Sequence, residues 1–417
     1  MIVDLFAGPG GWDTGLAMIG RRDVLGIEWD ESACLTAEAA GHSRRRGDVA
    51  AINPRDYAGA EGLIASPPCQ AWSLAGKRGG EVDRANCHKL ADRMAAGDDS
   101  TDWTDWEDDR SPLVCQPIRW ARELRPEWIA LEEVPAVLGL WEHFARIFRA
   151  WGYNVWTGTL LAADYGVPQT RTRAILMASR VRTVTPPQPT HAEHPEGSDL
   201  FGGGHRLPWV SMAEALGWSE GDSIHQRRGA GMEARHGTRP DTPATEPAPP
   251  VRTGVDRRWH RFVSAGVTGE GRPKDVQTQP ADTITSKGTD YFMDRPAPTV
   301  VTTRRSKDGL IIGRQLPPGE GENVGGWGWT RPSTTVAADP RIADPGYRKG
   351  NERQFRPDGI RVTVHEAGVL QSFPAAYPWQ GTKTKQYEQV GNAVPPLLAA
   401  HVLASLGVGS ITGRAAV

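Results

Sequence analysis

The sequence predicts an α/β fold: a nucleotide-type domain on a mostly parallel sheet, interrupted by a smaller β-rich inserted domain. Three observations carry that prediction. Short apolar runs at Ile2–Phe6, Val24–Ile27, Leu63–Ala65 and Trp128–Leu131 alternate with helical patterns, the rhythm of strands joined by crossover helices. Each run stops at polar or reactive residues, so chemistry collects along one edge of the expected sheet. From about Thr185 to Asp358 the composition shifts to Pro, Gly, Thr and Arg and the long helical patterns vanish, returning only at Val364.

Taken in order, Ile2–Phe6 runs into Ala7-Gly8-Pro9-Gly10-Gly11 and then a helical pattern, Trp12–Ile19. Strand, glycine turn and helix form a unit in which the backbone can approach a ligand and a helix N-terminus favours polar groups. The second strand ends in Glu28-Trp29-Asp30, where such folds place a ribose acceptor, and a third strand-end acid follows at Asp48-Val49. Leu63-Ile64-Ala65 then leads into Ser66-Pro67-Pro68-Cys69-Gln70. Two prolines stiffen this junction and forbid an immediate helix, so a thiol is held at a rigid strand end, the arrangement that suits a nucleophile. Glu81–Arg110 is long and polar and shows no clear period, which predicts a mobile loop over a site. Its acidic part, Asp98–Asp109, is expected to be a solvated insertion directed away from any nucleic acid.

Leu113–Leu124 reads as a helix with Trp120 and Leu124 on one face, and Trp128–Leu131 as a buried strand ending in Glu132-Glu133. The strand delivers both carboxylates to the edge that carries Cys69, and their proximity raises the pKa of at least one. A helix over Gly139–Trp151 follows, then a strand pair, Val155–Leu161 and Arg173–Ala178. The connection Gln169-Thr170-Arg171-Thr172-Arg173 presents two arginines on one strand face.

The inserted region repeats a proline phrase, as in Gln279-Pro280-Ala281-Asp282-Thr283-Ile284 and Arg295-Pro296-Ala297-Pro298-Thr299-Val300, at irregular spacing. These read as short strands entered through proline turns. Arg257, Arg258, Arg261, Arg304, Arg305 and Lys307 cluster near Trp259 and Tyr291, a pattern that can track phosphates and stack on bases. The amphipathic Val364–Phe373 and the apolar Leu397–Leu406 close the chain, the last expected to pack back on the first domain because its apolar face needs cover. The expected boundaries are 1–184 for the catalytic and cofactor-binding domain, 185–378 for the insertion and 379–417 for the returning segment.

Composition narrows the function. A net charge of −2 over 417 residues excludes a generally basic binder, so nucleic-acid contact must come from local patches. Cys34, Cys69, Cys87 and Cys115 include no C-x-x-C pair, which argues against zinc and for a reducing setting. No apolar run approaches a membrane span and the N-terminal residues lack a leader pattern, so a cytoplasmic protein is expected.

In family order, the chain holds Asp4-Leu5-Phe6-Ala7-Gly8-Pro9-Gly10-Gly11, Glu28-Trp29-Asp30, Gly47-Asp48, Pro67-Pro68-Cys69-Gln70-Ala71-Trp72-Ser73, Asp109-Arg110-Ser111-Pro112-Leu113, Leu131-Glu132-Glu133-Val134, Gln169-Thr170-Arg171-Thr172-Arg173 and Gly391-Asn392-Ala393-Val394. With these motifs it resembles the DNA (cytosine-5) methyltransferases over residues 1 to 180 and 360 to 400. The resemblance implies a Rossmann-like S-adenosylmethionine-dependent domain whose insertion is the variable target-recognition domain. It also implies that Cys69 adds to carbon 6 of a flipped-out cytosine in double-stranded DNA, making carbon 5 able to attack the methyl group of S-adenosylmethionine. Glu132 then serves ring nitrogen 3 and the exocyclic amine, Arg173 the carbonyl oxygen, and Arg171 supports the same site. Some lowering of the thiol pKa would help.

For the cofactor, the resemblance puts Phe6 and Trp29 on the adenine, Glu28 on the ribose and Asp48 on the adenine amine. Ala7, Gly8, Gly10, Val49, Pro68, Leu113, Asn392, Ala393 and Val394 complete the pocket. Gln70, Ser73, Lys77 and Gln169 are expected at the DNA, with a monomer acting on one strand at a time. No metal is expected. One departure stands out: the family usually has Asn where this chain has Glu133, a residue expected to be protonated or paired with a cation. The same motifs leave open a catalytically weak DNA-binding relative, an RNA cytosine-5 methyltransferase and the transfer of a modified methyl group.

Overall fold

The computed structural model describes residues 1–72, 79–102, 104–195, 206–217, 223–226, 242–248, 259–262, 305–306, 309–310 and 359–411. The chain opens with β1 (Ile2–Leu5), α1 (Gly11–Met18), β2 (Val24–Glu28), α2 (Glu31–Ala39), β3 (Ser43–Arg46) and β4 (Gly62–Ala65). It continues through α3 (Gly79–Ala96), α4 (Gln116–Leu124), β5 (Trp128–Glu133), α5 (Leu138–Ala150), β6 (Asn154–Leu161) and β7 (Thr172–Ser179). These seven strands form one sheet in the order β3-β2-β1-β4-β5-β7-β6. The first five are parallel, and β7 runs antiparallel to both β5 and β6. Chain order reverses between β1 and β4, so the carboxyl ends of β1, β2, β4 and β5 face one crevice, where open α/β sheets bind ligands.

Both faces of the sheet are covered at its centre, which is why β4 and the Trp128–Leu131 run of β5 are continuously apolar. On one face Val3, Leu5, Leu63, Ile129 and Leu131 pack with Leu90, Met94, Trp120, Trp141, Phe144 and Phe148 of α3, α4 and α5. On the other, Ile2, Ile64, Ala130 and Ile175 pack with Trp12 and Leu16 of α1 and with Leu398, Val402 and Leu403 near the C-terminus.

The insertion begins with β8 (His191–Ala192), β9 (Leu207–Pro208) and a short α6 (Met212–Leu216). Beyond it, β10 (Ser223–Gln226), β11 (Thr242–Pro243) and β12 (Trp259–Phe262) precede the β13–β14 pair (Arg305–Ser306, Gly309–Leu310) and β15 (Gly359–Arg361). A four-stranded antiparallel sheet, β11-β10-β12-β15, answers the β-rich expectation. Of the basic cluster, Arg261 and Trp259 lie on β12 and Arg305 on β13, whereas Arg257, Arg258, Tyr291, Arg304 and Lys307 lie outside the described residues.

The chain then makes α7 (Val364–Leu370), α8 (Lys383–Asn392) and α9 (Pro396–Ser405). A Thr363 and Glu366 capping box starts α7, each residue answering an orphan amide of the other. α9 lies on α1 at a glycine: a Cβ on Gly15 would stand 2.7 Å from the Ala399 Cβ. The returning helix is thus built into the first domain, as its apolar pattern predicts.

Two readings need correction. The polar stretch after Glu81 is not a loop but the 18-residue helix α3. Its buried stripe, Asp83, Cys87, Leu90, Ala91 and Met94, has helical spacing but is made of small or atypical core residues that hide the period. The acidic insertion is not merely solvated: Asp99 pairs with Arg122 at 2.9 Å, and the buried Asp83 carboxylate accepts the Glu107 and Asp108 amides at 3.0 Å each.

Candidate active site

Cys69 stands just beyond the carboxyl end of β4, in one turn of 3₁₀ helix, Cys69–Ala71. Pro68, at φ −61° and ψ 114°, gives an extended entry, so the two prolines delay the turn rather than prevent it. The turn is anchored behind the thiol: Ala71 and Trp72 are buried, and Trp12 Nε1 donates to Ser66 Oγ at 2.9 Å from α1. Parallel pairing of Ala65 with Leu131 brings the next strand end alongside. Glu132 there is buried and pairs with Arg173 on β7, Oε1 to Nε at 2.8 Å.

Arg171 is also buried, but its terminal nitrogens donate to Gly391 O at 2.9 Å and Ala393 O at 3.0 Å. It therefore ties the site to the returning segment. The structure thus gathers Cys69, Glu132, Glu133, Arg171 and Arg173, the first three from strand ends that the sequence places on one edge.

The electrostatics differ from expectation. Burial pushes the Cys69 thiol up to about 12, with Glu133 and then Glu132 adding to the rise against Arg173 and Arg171. The lowering that would help a nucleophile is absent here. Burial, with Arg173 beside it, pulls the Arg171 guanidinium down to about 9. Glu133 is the carboxyl held up: burial, then Glu132, keep it well above the usual carboxylate range.

Several of the residues expected at a cofactor meet at the glycine turn. Gly10 sits at φ +107°, and a Cβ there would meet His42 and Tyr377 side-chain atoms at 2.6 and 2.7 Å, so the turn requires glycine. Phe6 also takes positive φ, 57°. Glu28, at the end of β2, accepts the Gly8, Trp29 and Asp30 amides at 2.9, 2.8 and 2.8 Å, which fixes the turn to the strand end. Burial raises its carboxyl, and these amides oppose the rise. Trp29 is 75% exposed, an open aromatic face beside that carboxylate. Asp48 is exposed, Val49 buried, and Val49 O accepts Arg119 Nη2 at 2.7 Å and Trp120 Nε1 at 3.2 Å.

Pro68 and Leu113 are half-buried, while Ala7, Ala393 and Val394 are buried. Val394 meets the start of α1: a Cβ on Gly11 would lie 2.2 Å from Val394 O. The residues fit an uncharged-base nucleoside with a polar tail. The exposed aromatic face stands next to a ribose-type acceptor, and the buried Oδ1 of Asn392 has no partner among the described residues.

The residues expected at DNA are less uniform. Gln70 is half-buried in the Cys69 turn, and Ser73 and Lys77 lie outside the described residues. Gln169 is fully buried, its backbone bridged to Ala248, so its side chain is not presented to a partner in this structure.

Sequence reading missed several supports. Asp13 and Arg44 form a fully buried ion pair at 2.8 Å, with Arg44 also donating to Gly8 O. Asp4 lies near them, buried and without a hydrogen-bond partner among the described residues. Tyr377 OH donates to Pro9 O at 2.6 Å, and Lys385 pairs with Asp30 at 2.8 Å. A polar residue inside an apolar run, such as Asp4 in Ile2–Leu5, was the available signal for the first of these.

A profile of C-5 cytosine-specific DNA methylases matches residues 1–91, 100–226 and 256–407. The chain belongs to that family. Its relatives include the type II methyltransferase M.DdeI of Desulfomicrobium norvegicum, 24% identical across 95% of this chain and 86% of the relative. M.XorII of Xanthomonas oryzae pv. oryzae is 26% identical across 96% and 82%. Among solved structures, the Dnmt2 methyltransferase of S. pombe shares the fold at a TM-score of 0.51 and 13% identity, covering 97% of both chains. EhMeth of Entamoeba histolytica does so at 0.51 and 14%, again over 97% of both. The Rossmann-like α/β domain with an insertion is therefore the family's architecture as well as this chain's. Among the described residues no helix is long and apolar enough to cross a membrane.

Proposed function

We propose that the chain is a DNA (cytosine-5-)-methyltransferase that uses S-adenosylmethionine and acts on a short sequence in double-stranded DNA. The observation that carries this reading is the meeting of Cys69 with the Glu132–Arg173 pair at adjacent strand ends, in a chain of the C-5 cytosine-specific family. Cytosine carbon 5 is a weak nucleophile. Addition of the Cys69 thiolate to carbon 6 moves the ring electrons to carbon 5, and Glu132 stabilises that charge at nitrogen 3 as it develops. Arg173, half-buried and paired with Glu132, orients the carboxyl and reaches toward the carbonyl oxygen, while Arg171 braces this edge against Gly391 and Ala393. S-adenosylmethionine supplies an electrophilic methyl group when bound. Trp29, Phe6, Glu28, Asp48 and the Asn392–Val394 wall would hold it. Loss of the carbon 5 proton then returns Cys69 as the leaving group.

Because the target atom lies in the base stack, the cytosine must be extruded at a cost of a few kcal/mol. We assign residues 1–184 with 379–417 to catalysis and cofactor binding, and 185–378 to target recognition, with DNA held between them. A cytoplasmic monomer paired with a restriction enzyme fits the type II relatives. The test is transfer of labelled methyl groups to duplex DNA by the native chain and by Cys69→Ser, with base-resolution mapping. Product at carbon 5 within one short sequence, absent from the variant, is the expected result. No product on diverse duplex DNA, from a chain that binds both cofactor and duplex, overturns the reading.

A further inference from the structure

Glu133 follows Glu132 on β5, and successive strand side chains point to opposite faces. It is 1% exposed. Its Oε2 accepts the amide of Val134, and its Oε1 has no hydrogen-bond partner among the described residues. The charged groups that act on it are Glu132 from β5 and Arg173 and Arg171 from β7 and its approach. From the neighbouring layer, Asp83 of α3 is engaged by the Glu107 and Asp108 amides, and Arg84 by Glu81 and the Ala136 carbonyl. Arg110, whose charge Cys69 feels, is paired with Asp108 at 2.7 Å. No cation in this set is bonded to Glu133.

The charges around the thiol follow from these partners. Arg173 is matched by Glu132, and Arg171 spends its terminal nitrogens on neutral carbonyls. One positive charge is thus left over to balance a thiolate at Cys69. An ionised Glu133 would cancel it first, and in a buried site like charges resist one another strongly.

We infer that Glu133 is a positioning residue working as a neutral carboxylic acid, which leaves the site's spare positive charge to the Cys69 thiolate and withholds it once Glu133 ionises. The inference rests on Cys69 as the nucleophile of the reading above. It makes the site's reactivity depend on pH in a way that a neutral amide at the same position would not. The sign is fixed: relative to a neutral amide at position 133, the thiolate fraction is undiminished below the Glu133 pKa and falls behind as pH rises through it.

Alkylation of Cys69 by iodoacetamide tests this without DNA or cofactor. The thiolate displaces iodide and forms a thioether, so the rate follows the thiolate fraction, and Cys69→Ser supplies the background from the buried Cys34, Cys87 and Cys115. The folded full-length chain is compared with Glu133→Gln and Glu133→Asn from pH 6 to about 8.5, where Arg171 keeps its charge. Each variant is expected to match the native rate at the acid end and to exceed it about tenfold at the alkaline end, one unit of thiol pKa. Single-turnover methyl transfer should diverge in the same direction. Coincident alkylation profiles overturn the inference, and so do variants slower than native at alkaline pH, which would make the carboxylate a base. Diverging alkylation with no methyl transfer to duplex DNA supports the inference and overturns the functional reading separately.

Discussion

At the scale of single residues, the site divides into groups that touch the reacting atoms and groups that keep those in place. Glu132→Gln keeps the shape and a hydrogen bond to Arg173 but cannot move a proton. Its single-turnover methyl transfer should fall by roughly 10²- to 10⁴-fold with cofactor binding intact. Asp4 belongs to the second class. Burial, then Asp13, hold its carboxyl well above the usual range. A carboxyl that binds its proton more tightly when folded contributes stability that is full below its unfolded pKa and is lost as pH rises through the folded value. Asp4→Asn should therefore flatten the fall in urea midpoint between pH 5 and 8; an unchanged slope would show that Asp4 is not the group responsible. The meeting of Cys69, Glu132 and Glu133 at adjacent strand ends was legible because a polar group that closes an apolar run is conspicuous. Asp4 and Arg44 were not, since their meaning depends on each other and on Asp13, which lie far apart in the chain.

At the scale of elements, the boundaries set by apolar runs and prolines match the strands closely, because burial on both faces leaves little freedom in where a strand can stop. α3 escaped for the opposite reason: its core contacts come from Asp83, Cys87 and Ala91, which no hydropathy pattern marks. The packing of α1 against the returning segment offers a direct test. Gly11→Ala must displace Val394 O, 2.2 Å from the new methyl carbon, and Val394 is part of the proposed cofactor wall. A raised KM for S-adenosylmethionine with little change in DNA affinity is expected from steady-state kinetics. The buried pair that links β3 to α1 predicts a different signature. Arg44→Ala strands the Asp13 carboxylate, with an expected loss of about 3–5 kcal/mol in denaturant titration.

At the scale of the whole molecule, a β-rich insertion in an α/β fold was readable from the change in composition, because a stretch rich in proline and glycine cannot continue a wound α/β sheet. What composition cannot supply is how the two ends meet. Arg171 reaches carbonyls 220 and 222 positions away, α9 lies against α1, and Tyr377 closes on the glycine turn. The α/β domain is therefore discontinuous in sequence and continuous in space. That geometry has an effect in time. A ribosome releases Cys69, Glu132, Glu133 and Trp29 well before Gly391–Val394 and the helix that seats that segment. A chain that stopped before Gly391 would carry Arg171 without the carbonyls that hold it, so the proposed methyl transfer would wait for the returning segment.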